Sequence, residues 1–270
     1  MTKLQNPLTP KVQLQRLTSQ RWVMAVLALL FGLVLWQLLW MLLKLPAFIL
    51  PSPAMVWQKF LVSLSSGLLW RHFSFTLLEV LLGLLIGSSL AALLGYFLSK
   101  SAWLENFVSP YLVASQSVPV VAIAPLLVIW FGPGIFSKVL ICSLTVFFPV
   151  LINTLVGLRE VPQDLRELMR SLRATPAQTL RYLELPASLP VFLGGLRVGA
   201  TLSVIGAIVG ELVGSDRGLG FLINVGRGQY DTALVFVAVI TLMALAAALY
   251  GLILLLESRL LAWQTWRKTV

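Results

Sequence analysis

The chain is predicted to be an all-α membrane protein with six transmembrane helices. Three observations predict it. Hydrophobic residues make up 59% of the 270 and charged ones only 11%, with a mean hydropathy of +0.93, whereas soluble domains carry about 25% charged residues. The apolar residues gather in runs of about 20, the length that crosses a bilayer as a helix. Those runs are cut at charges and at Pro or Gly clusters.

The expected spans are 22–44, 72–98, 104–131, 135–157, 191–213 and 233–256. Before the first lies a basic arm, 1–21, with Lys3, Lys11, Arg16 and Arg21. The run after it is long enough to span, so the arm and run read as a start-anchor rather than a cleaved signal. Between the first two spans, "LPAFILPSPAMVWQKFLVSL" breaks at Pro51 and Pro53, and 55–64 read as a short amphipathic helix at the interface. The third span is interrupted by Pro110, Pro119 and Pro125. Such breaks survive at membrane depth only where protein or a watery cavity covers the freed backbone. The chain then divides into the arm 1–21, a six-helix domain 22–256 with a polar loop 158–190, and a tail 257–270.

Lys and Arg set the orientation. With six spans, fourteen of them fall on the side of both termini and six on the other, so both termini and the loop 158–190 are expected in the cytoplasm. The net charge of +10 follows from this bias and does not call for nucleic acid. The lone Cys142 excludes an intrachain disulfide and reads as a buried, inert thiol.

The loop contains "DLRELMRSLRATPAQTLRYLELPASLP". Leu165, Leu168, Met169 and Leu172 recur at helical spacing with Arg166, Glu167, Arg170 and Arg173 around them. Thr175 before Pro176 signals the start of a second helix, 176–185, which Pro186 and Pro190 are expected to close. An amphipathic pair of this kind either lies on lipid or fills a groove on a partner.

The pattern Glu167-Leu168-Met169, three residues, Arg173, nine residues, Leu183, one residue, Leu185-Pro186 resembles the "EAA" loop of ABC-importer permeases. "PVVAIAPLLVIWFG" before it and "GLRVGATLSVIGAIVGELVGSDRGLGFLI" after it are similar to permeases of the nitrate, sulfonate, taurine, bicarbonate and pyrimidine-precursor group. The resemblance covers about 20–256. It implies a type I importer permease fold in the bacterial inner membrane, working as a homodimer with two cytoplasmic ATPases and an external binding protein. It further implies a coupling helix carried by Glu167, Leu168, Met169, Arg170, Arg173, Ala174, Thr175, Pro176, Leu185 and Pro186. ATP and Mg would be bound by the partner ATPase, and this chain would hold no cofactor. Two departures stand out: Ala-Ala has become Leu168-Met169, and the family glycine has become Arg173, which conflicts with the tight turn a glycine permits.

Few polar groups fall inside the spans, where they are costly and point to function. Glu79 shares a helix face with Gly83, Gly87, Ala91 and Gly95, a small-residue stripe that lets another helix approach. Glu79 itself either pairs with a hydroxyl or an Arg, or meets substrate. Glu211 ends a second row, Gly199, Ser203, Gly206 and Gly210; the resemblance places it near an outer gate, and an interfacial carboxylate is the alternative. Ser115, Gln116 and Ser117 before Pro119 are the candidate constriction of a pathway, with Asn153 either joining them or bonding between helices. His72 beside Arg71 reads as a surface histidine. No Lys or Arg falls in mid-span, so an anion would find no fixed positive charge there. A neutral or zwitterionic heterocycle stacking on Trp130, Phe131, Phe147 or Phe148 would suit such a lining at least as well.

Other classes are weighed by what the sequence lacks. Two related halves and midplane ionisable groups, the marks of a secondary transporter, are not evident. One His and one Cys assemble no catalytic constellation. The Ala-Arg-Gly triplets of energy-coupling scaffold subunits do not occur, and no Walker-type loop is present.

Overall fold

The computed structural model describes residues 10–116 and 118–263, with side chains from residue 23 onward except 25 and 116. All regular structure among the described residues is helical. Helices α1 (Pro10–Leu43), α3 (Leu68–Lys100), α6 (Ile135–Arg159) and α11 (Thr232–Leu260) are each long and apolar enough to cross a bilayer, as is the run Pro176–Val213 that ends in α9 (Leu185–Val213). Helices α4 (Ala102–Gln116) and α5 (Val120–Phe131) together make a sixth candidate crossing. Shorter elements are α2 (Pro53–Ser65), α7 (Gln163–Ser171), α8 (Pro176–Thr179) and α10 (Leu219–Gly228).

The core is a three-helix layer in which α6 lies between α3 and α9. The expected stripe on α3 packs on α6: Cβ atoms at Gly83, Gly87 and Gly95 would fall 2.2 Å from Cys142 Cβ, 2.6 Å from Ser143 O and 2.9 Å from Thr154 Cβ. The row on α9 packs on the other side, with Gly199 against Val146 and Val150, Gly206 against Thr145 and Cys142, and Gly210 against Ile141 and Lys138. Ser203 donates to Val80 O at 3.0 Å, closing the layer. Cys142 is fully buried where both stripes meet.

Peripheral helices attach by aromatic and capping contacts. Trp36 of α1 stacks on Phe236 of α11 and donates to Pro51 O at 3.1 Å. The amphipathic helix expected at 55–64 is α2; Ser52 caps it by accepting from Met55 N at 3.2 Å, with Pro53 in its first turn. Lys59 ties it to Asp231 at 2.5 Å. Much of α1 stays exposed and apolar, as suits a surface meant for lipid or another chain.

The interruption expected in the third span falls at Pro119, where α4 and α5 meet at 92°. Pro119, which has no N–H, stands extended (φ −64°, ψ 124°) at the start of α5, while Pro110 and Pro125 remain inside their helices. The second hairpin helix does not close at Pro186. A π-helical turn, Leu180–Glu184, joins α8 to α9, with Leu185 N donating to Leu180 O. The wider turn lets the chain continue past Pro186 and Pro190 into the membrane. Helix also begins within the basic arm, at Pro10.

Because Gly83 meets Cys142 so closely, Gly83→Ala should lower stability by about 1–3 kcal/mol. Gly251→Ala, where a Cβ meets nothing within 4 Å, should not. Thermal unfolding of the purified protein in detergent compares them.

Candidate functional site: a helical hairpin, a cavity and a polar cluster

The hairpin is built to present charge outward while being held from below. Helix α7 buries no residue. Glu167, Leu168 and Arg170 are exposed on it, Met169 is half-buried, and Leu172 just beyond is 68% exposed. Its end resolves the conflict raised by Arg173. Arg173 N donates to Arg170 O and Ala174 N to Met169 O, both at 2.9 Å, the paired bonds of a Schellman cap. That cap needs a left-handed residue, and Arg173 supplies it at φ +54°. The tight turn therefore forms with an arginine, at a cost of about 1–2 kcal/mol. Thr175 starts α8 with a capping box: it accepts from Gln178 N at 3.3 Å, while Gln178 accepts from Thr175 N at 2.8 Å. Pro176 fills the first turn, Leu185 is exposed and Pro186 half-buried.

A buried carboxylate, passed over in the sequence, anchors this hairpin. Glu184 has a side chain 2% exposed and pairs with Lys100 Nζ at 2.6 and 2.7 Å, and with Arg166 at 3.4 Å. Arg166 also donates to Leu158 O at 2.6 Å. The ends of α3 and α6, helix α7 and the π turn thus converge on one acid. Its signal was a lone Glu in the apolar "YLELP" beside a basic segment.

Where α4 and α5 break, a cavity of about 570 Å³ opens. Ser115, Val118, Val120, Ile123, Leu144, Thr145, Phe148 and Pro149 are among its walls. Of the expected constriction, Ser115 lines it; the Gln116 side chain and Ser117 lie outside the described residues. Asn153 is not brought there: it donates to Pro149 O at 2.8 Å and packs on Gly195 of α9. Of the four aromatics named for stacking, Phe148 alone borders it.

At the opposite end of the layer, polar groups pin the segment leading into α10. Glu211 is fully buried, accepting from Thr76 Oγ1 and Gly220 N, each at 2.6 Å. Thr76 accepts from Leu219 N at 2.8 Å, and His72 Nδ1 from Gly218 N at 3.1 Å. His72 is therefore buried rather than a surface residue. Lys138, counted above as a loop charge, is also fully buried; it donates to Pro133 O and, at 2.6 Å, to Gly214 O. Glu79 sits beside Glu211 and lines a pocket of about 310 Å³ with Phe75, Ser215, Asp216 and Arg217. Gly218 is required here: its φ is +99°, and a Cβ would fall 2.1 Å from Glu211 Oε1. Thr76, His72 and Lys138 were missed because hydroxyls and charges near span ends look the same whether they face water or each other.

A multi-span bundle with an exposed charged hairpin at one end and a pinned polar cluster at the other has the form of a transport permease. The chain belongs to the binding-protein-dependent transport system inner membrane components, whose family model matches residues 80–262. It is 46% identical over 236 residues to the riboflavin transport system permease protein RibX of Chloroflexus aurantiacus, covering 87% of this chain and 88% of that one. A putative aliphatic sulfonates transport permease protein of Bacillus subtilis is 32% identical, covering 90% and 88%. Among solved structures, the inward-facing MetNI methionine ABC transporter shares the fold, with a TM-score of 0.64 and 20% identity over 73% of this chain and 97% of that one. The chain is thus a multi-span permease subunit of an ABC importer, and components of this family are not themselves catalytic.

Two substitutions probe the geometry. Arg173→Gly relieves the left-handed strain, partly offset by glycine's freedom when unfolded, for a net gain of roughly 0.6 kcal/mol. Exchange of the Ala174 amide should slow about threefold, and Arg173→Val should speed it. Gly218→Ala, which meets both strain and the Glu211 carboxyl, should cost at least about 2 kcal/mol in a thermal unfolding assay.

Proposed function

We propose that two copies of this chain form the translocation pathway of an ATP-driven importer. Each copy docks one cytoplasmic ATPase through α7 and receives solute from an external binding protein. The homodimer follows from one hairpin per chain, since a pair of ATPases needs two. The Lys and Arg bias supports a cytoplasmic hairpin and termini, which places the Glu211 cluster at the outer face. The ATPases bind ATP and Mg and carry out hydrolysis; this chain converts their closure into alternating access.

The observation that carries this reading is the hairpin itself. Helix α7 has nothing buried, yet with Leu172 at its end it offers Leu165 and Leu168 beside Glu167 and Arg170. A solvated loop has no use for such a face, whereas a partner's groove does. The two substitutions in the motif fit a deeper, more apolar groove, with Arg173 free to meet an acidic residue there. The central cavity, bordered by Ser115 and the α4–α5 break, is the solute's station, and Glu79 with Glu211 belongs to the outer closure.

Glu167 is exposed, so Glu167→Arg should leave folding and membrane insertion intact. In the complex with ATPase and binding protein, it should abolish substrate-stimulated ATP hydrolysis. Stimulation equal to wild type would remove Glu167 from the interface.

A further inference from the structure

We infer that the central cavity accepts a neutral, flat heterocycle bearing adjacent N–H and C=O groups, and not an oxyanion. This rests on the importer reading above, in which the cavity is the solute's station. Its volume of about 570 Å³ suits an organic ligand.

The walls decide the class. Among the described residues no Lys, Arg, His, Asp or Glu lines the cavity, and most of its lining is Val, Leu, Ile, Phe and Pro. An anion entering such a space loses its hydration and finds no countercharge, a cost far above that of a neutral polar group. The buried cation Lys138 lies seven residues before Thr145 on the same helix, about 10 Å along its axis, and is engaged by Pro133 O and Gly214 O. It has no reach into the cavity.

The polar atoms that do border the space are neutral and of both kinds. The Ser115 and Thr145 hydroxyls donate to Tyr111 O and Cys142 O, each at 2.7 Å. Their hydrogens are therefore used, and their lone pairs face the ligand as acceptors. Pro149 has no N–H, so the Thr145 carbonyl lacks its usual helical donor and adds a third acceptor. Donors come from the first turn of α5, where Ala122 N is taken by Pro119 O at 2.9 Å but the Val120 and Val121 amides precede it and the start carries no side-chain cap. Those amides complement a carbonyl; alone, they offer an anion only partial charge. A ring edge that alternates N–H with C=O matches both sets, and the Phe148 ring supplies a stacking face.

The test uses the chain as it purifies with its co-expressed ATPase, in lipid nanodiscs. Binding of riboflavin is followed by its fluorescence and binding of radiolabelled uracil by equilibrium dialysis, with taurine and nitrate as anionic probes. Saturable binding of riboflavin or uracil is expected, undiminished by a hundredfold excess of taurine or nitrate. Phe148→Leu should weaken it about tenfold and Thr145→Val several-fold. Saturable binding of either anion, or of none of the four probes, overturns the inference. Failure to recover a nucleotide-hydrolysing partner overturns the importer reading separately, because probe binding is read on whichever assembly the chain forms.

Discussion

Everything else in the molecule depends on how closely α3 and α9 approach α6. Lipid tails are as apolar as Leu, so helices in a bilayer are not driven together by exclusion from water and must gain from contact. Here the gain comes from glycine. Gly83 and Gly206, on different helices, both lie against Cys142, while Gly87 and Gly199 both meet Val146. The lone cysteine is thus the small side chain that fits between two glycine surfaces, and its burial is a consequence of packing. Three backbones locked side by side fix the positions of all their ends.

The ends are where charge is concentrated, and each is satisfied by groups from several helices. At one end Glu184 draws in Lys100 and Arg166. At the other, Lys138 bridges two carbonyls while Glu211, Thr76 and His72 hold the backbone at 218–220. Lys100 is 38% exposed and keeps some hydration, whereas Lys138 keeps none and depends on its two carbonyl partners and the carboxyl groups of Glu79, Asp216 and Glu211 nearby. Both clusters hold only while the layer between them keeps its register, since the stripes set which residues face one another.

The stripes, the spans and the capped hairpin were legible because each is a periodic or local signal. Gly83, Gly87, Ala91 and Gly95 repeat every four residues, and Thr175-Pro176 announces its own helix start. What was not legible is relational. Pro119 breaks its span while Pro110 and Pro125 do not, because breakage depends on whether a cavity exists beside the freed backbone. Pro186 looked like a stop and is not, because a π turn is invisible in hydrophobic periodicity. Asn153 was left between the cavity and a bond across helices, because polarity alone does not show that Gly195 on the facing helix gives it somewhere to pack. Arg173 at a glycine position suggested a lost turn, yet the Schellman bonds around it keep it in the left-handed region.

The joining of hairpin to span bears on how motion could pass through the chain. From Pro176 to Val213 the helix runs for 38 residues, roughly 55 Å at the α-helical rise. It starts at the hairpin and ends two residues beyond Glu211, which fastens the opposite end. A rod of that length transmits displacement only if it does not fold at a joint. Its one departure from α geometry is the π turn at Leu180–Glu184, and that is where bending would concentrate. Glu184 sits in that turn with its carboxylate held by Lys100 from α3 and Arg166 from α7. The ion pairs therefore brace the rod at its weakest point and tie it to the hairpin it serves. On the importer reading, a push delivered to α7 reaches α9 through this brace rather than through the short connection at 172–175, which lets the connection tolerate an arginine in a strained conformation.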